Sequence, residues 1–232
     1  MKNRLTLPPC LIMAGGVGSR LGSITKYTPK PAIKINKKPY LAYILDWLRK
    51  SGFKKFYFLL SYKNKKIEKI ILEYFANKKL SYNILIDKKR SGTFPAIYYH
   101  LKKIDKVFFY TNADELSDFN IKKMYLKFKK SKTNLMCGIL RSKDGALTIN
   151  KKKNIIESNT KKRSVLFKDC GYKFINKIIF KNSKNEYKKI EDFIYKKYLP
   201  VKNVSYFIIK SLPLRIDTAF DINRTKKKLK NV

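Results

Sequence analysis

The sequence is poor in acidic residues and cysteines, and it has no long apolar segment. Of its 232 residues, 16 are Asp or Glu, three are Cys and one is His. No apolar run approaches the roughly 18 residues that a transmembrane helix needs, so none is expected. Cys10, Cys137 and Cys170 lack metal-ligand spacing and predict reduced thiols in a cytoplasmic protein. The N-terminal MKNRLTLPPC lacks a long apolar core and is not expected to be a signal peptide. No membrane partner is expected.

The shortage of acids leaves a formal net charge of +39, which invites a nucleic-acid interpretation. However, 47 of the 55 basic residues are lysines, and they are spread over the whole chain. Together with abundant Asn, Ile, Tyr and Phe, they indicate a biased base composition in the source genome. We therefore expect mostly solvated lysines, with a polyanion-binding or nucleic-acid-binding protein kept as an alternative. In either case the positive field should attract anionic substrates.

Strand and helix patterns alternate through the first half of the chain. Buried strands are predicted at 10–14, 55–61, 82–86 and 106–111, with helices from residue 39, from Asn64 and over 96–104. This order predicts a parallel sheet with helices on both faces, whose ligands lie beyond the carboxyl ends of the strands. Further on, helices are expected at 121–128, 190–198 and 221–229, and strands at 135–140, 146–149 and 204–209. The stretch 150–168 has no clear pattern.

A glycine-rich stretch follows the first predicted strand. Gly15, Gly16 and Gly18 would let backbone N–H groups approach a polyanion closely, because no Cβ intervenes. Arg20 and Lys30 add two cations, and prolines on both sides restrict the backbone of Lys30. The stretch therefore predicts a phosphate-holding loop with a stiffly mounted lysine. It lacks both the Walker pattern G-x-x-x-x-G-K-[ST] and the dinucleotide pattern G-x-G-x-x-G.

The longer segment GGVGSRLGSITKYTPKPAIKINKKPYL resembles the signature of the sugar-1-phosphate nucleotidyltransferases, roughly G-G-x-G-[ST]-R-L, then P-K-P, then a K-P that opens a helix. Later segments stand in the family's order: Asp87 to Ile97, Asn112-Ala113-Asp114 and Arg215-Ile216-Asp217. The resemblance implies an α/β, Rossmann-like, three-layer fold of the glycosyltransferase-A-like type, with a mostly parallel mixed sheet. Within the family, the short length and the spacing of loop and helix most resemble the guanylyltransferases that act on D-glycero-D-manno-heptose 1-phosphate.

The resemblance also implies an activity. Such an enzyme transfers a nucleoside monophosphate from an NTP, here expected to be GTP, to a heptose or hexose 1-phosphate. It uses Mg²⁺ and releases pyrophosphate, and the NDP-sugar would serve surface polysaccharide or capsule synthesis. We expect one domain over 1–232, with a nucleotide-binding half at 10–114 and a sugar-phosphate and metal half at 115–232. A homo-oligomer is possible.

The implied site residues fall into four groups. Arg20 and Lys30 would be catalytic, and Asp114 and Asp217 would hold Mg²⁺. The nucleotide-binding group is Ala14, Gly15, Gly16, Gly18, Ser19, Asp87, Gly92, Thr93 and Asn112. The sugar-binding group is Gly145, Glu157, Gly171 and Tyr172. His100, the single histidine, lies in a helical pattern and is expected to be structural or exposed.

Some positions depart from the family pattern. Gly92-Thr93-Phe94-Pro95-Ala96 stands where the family has Gly-Thr-Gly-Gly-Ala, and Asp87 replaces Glu. Ala113 replaces a Gly, where a positive φ would be costly. Glu157 is not followed by the family's lysine, so Lys161 or Lys162 would have to substitute. These departures leave two further alternatives open: a cytidylyltransferase acting on a small phosphorylated acceptor, and a degenerate relative that binds nucleotide without turnover.

Overall fold

The structure is a computed structural model that describes residues 5–16, 21, 25, 27–61, 64–158, 165–184 and 186–230. The chain divides into two compact units, each assembled from separate stretches. The first unit comprises Pro9–Arg90, Thr111–Asp118 and Pro213–Val232, and the second comprises Met1–Pro8, Ser91–Tyr110 and Phe119–Leu212. The single domain with halves meeting at residue 114 stays a prediction. No helix in the described ranges is long and apolar enough to cross a membrane.

Thirteen strands and six helices are found in the described part of the chain. The strands are β1 (Cys10–Met13), β2 (Lys34–Ile35), β3 (Lys38–Pro39), β4 (Lys55–Leu60), β5 (Ser81–Ile86), β6 (Val107–Asn112), β7 (Glu115–Leu116), β8 (Leu135–Arg141), β9 (Leu147–Asn150), β10 (Ile155–Ser158), β11 (Phe167–Asn176), β12 (Ser205–Ile208) and β13 (Leu214–Arg215). The helices are α1 (Tyr40–Ser51), α2 (Asn64–Phe75), α3 (Thr93–His100), α4 (Ile121–Lys130), α5 (Ile190–Phe193) and α6 (Ala219–Lys228). A π-helical turn, Ile194–Tyr198, continues α5.

The first unit contains three of the four strands predicted in the first half of the chain, and these three are parallel. They lie in the order β5, β4, β1, with Ile12 opposite Phe58 and Phe58 opposite Ile84. Cys10, Leu11 and Ile12 of β1 are fully buried, as expected for a strand covered on both faces. Helix α1 ends at Gly52, whose φ of 107° provides the left-handed cap that glycine adopts without a Cβ clash. The strand-helix alternation of this stretch is therefore confirmed.

The second unit contains a mixed sheet in the order β6, β11, β8, β12, β10, β9. Strand β11 is antiparallel to β6 and β8, while β12 is parallel to β8. The sequence predicts β8, β9 and β12 but misses β10 and β11. The register of β11 shifts between Asp169 and Lys173, and Lys173 is a fully buried charge within the strand. Both features disturb the apolar alternation from which a strand is recognised. The α/β class with a mixed sheet is nevertheless confirmed.

Helix α3 begins earlier than predicted, at Thr93 rather than near Ala96. Phe94 is fully buried, and its ring centroid lies 4.6 Å from that of Phe193 and 5.7 Å from that of Phe180. Pro95 falls in the first turn, where a missing N–H is tolerated. Phe94 and Pro95 are therefore part of a packed helix start, and the prediction of a loop through these two residues was wrong.

Candidate active site

Lys30 is mounted on a short turn of the first unit. A 3₁₀ turn over Lys30–Ala32 follows Pro29, whose φ of −62° is set by its ring. The N–H of Ala32 donates to the Pro29 carbonyl at 2.8 Å, and the N–H of Ile33 donates to the Lys30 carbonyl at 3.0 Å. The Lys30 side chain is only 9% exposed. The proline frame seen in the sequence thus fixes the backbone of a lysine that folding buries.

Asp114 lies just beyond the carboxyl end of β6. The N–H of Ala113 donates to the Met13 carbonyl at 2.9 Å, and the N–H of Ala14 donates to the Leu59 carbonyl at 2.9 Å. These bonds align the ends of β1, β4 and β6, so the residues that follow these strands share one edge. This is the edge at which open α/β sheets bind ligands. The backbone of Ala113 is not among those with a positive φ, so alanine fits this position without strain.

Asp217 reaches the same edge through the short antiparallel pair of β7 and β13. Arg215 of β13 stands opposite Glu115 of β7, and its Nη2 lies 2.9 Å from Glu115 Oε1. Because Asp114 directly precedes β7 and Asp217 follows β13 by two residues, this pairing brings the two aspartates together. The sequence offers both aspartates as candidates but contains no local signal for the pairing that joins them.

Lys30 contacts both carboxylates. Its Nζ donates a hydrogen bond to Asp217 Oδ1 and lies 3.6 Å from Asp114 Oδ2. Burial raises the pKa of Asp114, the charge of Lys30 opposes this rise, and repulsion from Asp217 adds to it. The three predicted residues therefore form one cluster, hereafter the Lys30 cluster, within a single unit.

The two carboxylates of this cluster are suited to a hard divalent cation. Both lie against the same ammonium, since Lys30 Nζ donates to Asp217 Oδ1 and lies 3.6 Å from Asp114 Oδ2. Among the residues that the structure describes, no group of three or more His, Cys, Asp or Glu could hold a metal alone. Mg²⁺ commonly uses one or two carboxylates and completes its shell with substrate phosphates and water, so Asp114 and Asp217 fit it.

The glycine stretch begins next to this cluster, directly after β1. A Cβ on Gly15 would lie 2.3 Å from Ser61 Oγ, and that hydroxyl donates to the Gly15 carbonyl at 2.9 Å. A side chain at position 15 would therefore have to displace the Ser61 hydroxyl, whereas Gly16 has open space around its Cβ position. Ala14 is buried. Gly18, Ser19 and Arg20 lie outside the described residues, so their phosphate contacts stay predictions.

The other predicted nucleotide-binding residues are held by backbone interactions. Asp87 follows β5 in the first unit, and its Oδ1 accepts the N–H of Lys89 at 3.1 Å. Asn112 is the last residue of β6. In the second unit, Thr93 Oγ1 accepts the N–H of Ile190 at 2.9 Å. Gly92 has a φ of 110°, and a Cβ there would lie 2.2 Å from the Lys188 carbonyl oxygen. Gly92 and Thr93 thus anchor the segment before α5, and their nucleotide contacts stay predictions.

The predicted sugar-binding residues all lie in the second unit. Gly145 packs closely against the backbone of Phe167, where a Cβ would lie 2.4 Å from a carbonyl oxygen. Glu157 Oε1 accepts a hydrogen bond from the Asn150 side chain at 3.3 Å. Gly171 has a φ of 80°. The ring of Tyr172 is fully buried and stacks on Phe109 at 6.3 Å, so in this conformation the ring packs in the core. The sugar contacts of all four residues stay predictions.

An ionic cluster beside Gly171 was missed from the sequence. Lys173 Nζ lies 3.0 Å from Asp169 Oδ2 and 3.4 Å from Glu191 Oε1. The Tyr195 hydroxyl donates to Asp169 Oδ2 at 3.1 Å. The signal available in the sequence was a lysine between Tyr172 and Phe174 in an otherwise apolar run, but one lysine among 47 carries little weight.

Comparisons with known proteins agree with the geometry. The sequence model of the family described as Nucleotidyl transferase matches residues 10–208. A D-glycero-alpha-D-manno-heptose 1-phosphate guanylyltransferase of Campylobacter jejuni is 31% identical over 198 residues, which span 83% of this chain and 87% of the relative. A protein of the same name from Aneurinibacillus thermoaerophilus is 27% identical over 223 residues, which span 88% of this chain and 93% of the relative.

A solved structure shares the fold. It is that of HddC from Yersinia pseudotuberculosis complexed with GMP-PN, which superposes with a TM-score of 0.76 at 21% identity. The match covers 96% of this chain and 99% of that one. It supports the Rossmann-like α/β arrangement of this chain.

Proposed function

This chain belongs to the nucleotidyl transferase family, and we propose that it transfers GMP from GTP to a heptose 1-phosphate, with hexose 1-phosphates as the next candidates. The observation that carries the proposal is the Lys30 cluster: a buried lysine and two carboxylates at the carboxyl ends of parallel strands. Two relatives that align over most of their length are named as guanylyltransferases of this heptose phosphate, which supports the choice of substrates.

The proposed reaction needs positioning and charge stabilisation more than a side-chain base. A phosphate oxygen of the sugar 1-phosphate attacks the α-phosphorus, the bond from this phosphorus to the bridging oxygen breaks, and pyrophosphate leaves. The attacking phosphate is already anionic, so no side chain has to remove a proton. The protein's task is to align two polyanions in line and to stabilise the charge on the transferred group.

The residues of the first unit suit these tasks. The backbone after β1 would bind the triphosphate through the N–H groups at Gly15 and Gly16, and Arg20 would add a cation. Lys30 would bind phosphate oxygens at the reacting centre. Asp114 and Asp217 would hold Mg²⁺, which when bound neutralises charge on phosphate oxygens.

The remaining parts of the proposal concern cellular context. The product would be an NDP-sugar that donates its sugar to a surface polysaccharide, and the enzyme would act in the cytoplasm. The charge of +39 would speed the encounter with anionic substrates at low salt.

A matrix of substrates tests this function. Purified protein with Mg²⁺ would be mixed with each of GTP, CTP, UTP, dTTP and ATP, and with heptose, mannose and glucose 1-phosphates, while pyrophosphate is measured. We expect the largest release from GTP with the heptose 1-phosphate, and none when the acceptor is omitted. Preference for CTP would favour the cytidylyltransferase alternative. Absence of pyrophosphate release from every combination would refute the proposal. Nucleotide binding would then favour the degenerate relative, and salt-sensitive DNA binding would favour the nucleic-acid-binding protein.

A further inference from the structure

The Lys30 cluster has its own counter-ion. The Lys30 ammonium is bonded to Asp217 and lies 3.6 Å from Asp114 Oδ2, so one buried cation already serves both carboxylates. The Lys30 backbone is held by the proline-bounded 3₁₀ turn, so only side-chain rotation can move this charge. The carboxylate pair is therefore screened by the protein's own lysine in the described conformation.

A divalent cation and the Lys30 ammonium compete for the same oxygen atoms. Two positive charges a few ångströms apart in a partly buried site repel each other strongly. A metal that binds Asp114 and Asp217 must therefore displace Lys30 from them. The displaced ammonium then needs another anion, because leaving a buried charge unpaired is costly.

The phosphate oxygens of the substrates are the anions that could receive Lys30. From this exchange we infer that Lys30 is a resident counter-ion, which keeps metal affinity low until a polyphosphate draws the lysine away. The inference rests on the proposed function, because it takes Asp114 and Asp217 as the metal ligands. By thermodynamic linkage, a nucleotide that draws Lys30 off the aspartates raises metal affinity, and bound metal raises nucleotide affinity by the same factor.

Mn²⁺ alone, titrated into the nucleotide-free protein, tests the inference. Binding would be followed by electron paramagnetic resonance for the wild type, Lys30→Met and Lys34→Met, the last being an exposed lysine on β2. We expect Lys30→Met to bind Mn²⁺ roughly tenfold more tightly or better. Lys34→Met should match the wild type, and Lys30→Arg, which keeps the charge, should stay weak. Adding Asp114→Asn to Lys30→Met should abolish the gain.

Thermal unfolding with and without Mn²⁺ provides a second measurement if Lys30→Met lowers stability. The metal should raise its melting temperature more than that of the wild type. Equal Mn²⁺ affinity in the wild type and Lys30→Met would overturn the inference. If Asp114→Asn still weakened binding in that case, the metal site of the proposed function would stand. If Asp114→Asn leaves Mn²⁺ affinity unchanged, both the inference about Lys30 and the assignment of the metal ligands are overturned. If the substrate matrix releases no pyrophosphate, the Mn²⁺ titration can still be interpreted.

Discussion

Replacing Lys173 by methionine should cost about 3–5 kcal/mol of stability, since it breaks a buried ion pair while leaving the partner charges in place. Lys173 is fully buried, with its Nζ 3.0 Å from Asp169 Oδ2 and 3.4 Å from Glu191 Oε1. Glu191 is 31% exposed and can be rehydrated, whereas the Asp169 side chain is only 9% exposed. Most of the cost should therefore come from Asp169.

The size of the stability loss in Lys173→Met depends on how Asp169 is left after the substitution. After the substitution it keeps two neutral donors, the Gly171 N–H at 2.7 Å and the Tyr195 hydroxyl at 3.1 Å, but no cation replaces Lys173. Adding Asp169→Asn to Lys173→Met removes the stranded charge. The double variant should therefore be more stable than Lys173→Met alone, because removing both partners of a buried pair costs less than removing one.

Urea unfolding followed by circular dichroism measures these differences. Lys168→Met, an exposed lysine on the same strand, is the matched control and should stay close to the wild type. Burial lowers the pKa of Lys173, but the charges of Asp169 and Glu191 outweigh this and hold it well above its ordinary value. The contribution of Lys173 should thus be complete below about pH 10.5 and be lost only as the pH rises through the folded-state pKa. A Lys173→Met variant within about 1 kcal/mol of the Lys168→Met control would refute the ion-pair reasoning, since exposed substitutions alone vary by about half that.

Three further predictions concern stability. Gly92→Ala should destabilise the protein by roughly 1–3 kcal/mol or more, because its φ is 110° and the new Cβ would lie 2.2 Å from the Lys188 carbonyl oxygen; an unchanged melting temperature would contradict this. Phe94→Ala should cost about 3–5 kcal/mol in urea unfolding, because the fully buried ring packs against Phe193, and a cost below about 1 kcal/mol would contradict this packing. Burial raises the pKa of Asp46, but hydrogen bonds, led by that from Lys38, hold it below its usual value. The melting temperature should accordingly fall as the pH drops below about 4, and it should fall by less in Asp46→Asn. If the melting temperatures of the two proteins depend on pH in the same way, Asp46 does not contribute to acid sensitivity.

Sequence patterns predicted those parts of the fold and of the candidate site that depend on neighbouring residues. The strand before Gly15, the proline frame of Lys30 and the strand end before Asp114 are local features, and parallel topology places strand ends on one edge. These signals were sufficient to expect Lys30 and Asp114 near each other. Asp217 was proposed from the family resemblance alone.

Long-range packing decided what the sequence could not predict. Asp217 reaches Lys30 through the pairing of β7 with β13, two strands of two residues each, which are too short to leave an alternating pattern. From the sequence, Phe94 was interpreted as replacing a glycine in a loop, because its packing partner, Phe193, lies about a hundred residues away in the chain. Lys173 was not predicted to be a buried charge, because the sequence alone does not distinguish a buried lysine from a solvated one until its partners are known.

The measurement that tests the central claim most directly is the turnover number for pyrophosphate release from GTP and the heptose 1-phosphate at saturating Mg²⁺. Wild type, Asp114→Asn and the control Asp118→Asn, an exposed aspartate four residues away, would be compared. Wild type should turn over, Asp118→Asn should stay within a few-fold of it, and Asp114→Asn should fall about 10²-fold or more. Absence of turnover in the wild type, or equal turnover in the two variants, would contradict a nucleotidyltransferase centred on the Lys30 cluster.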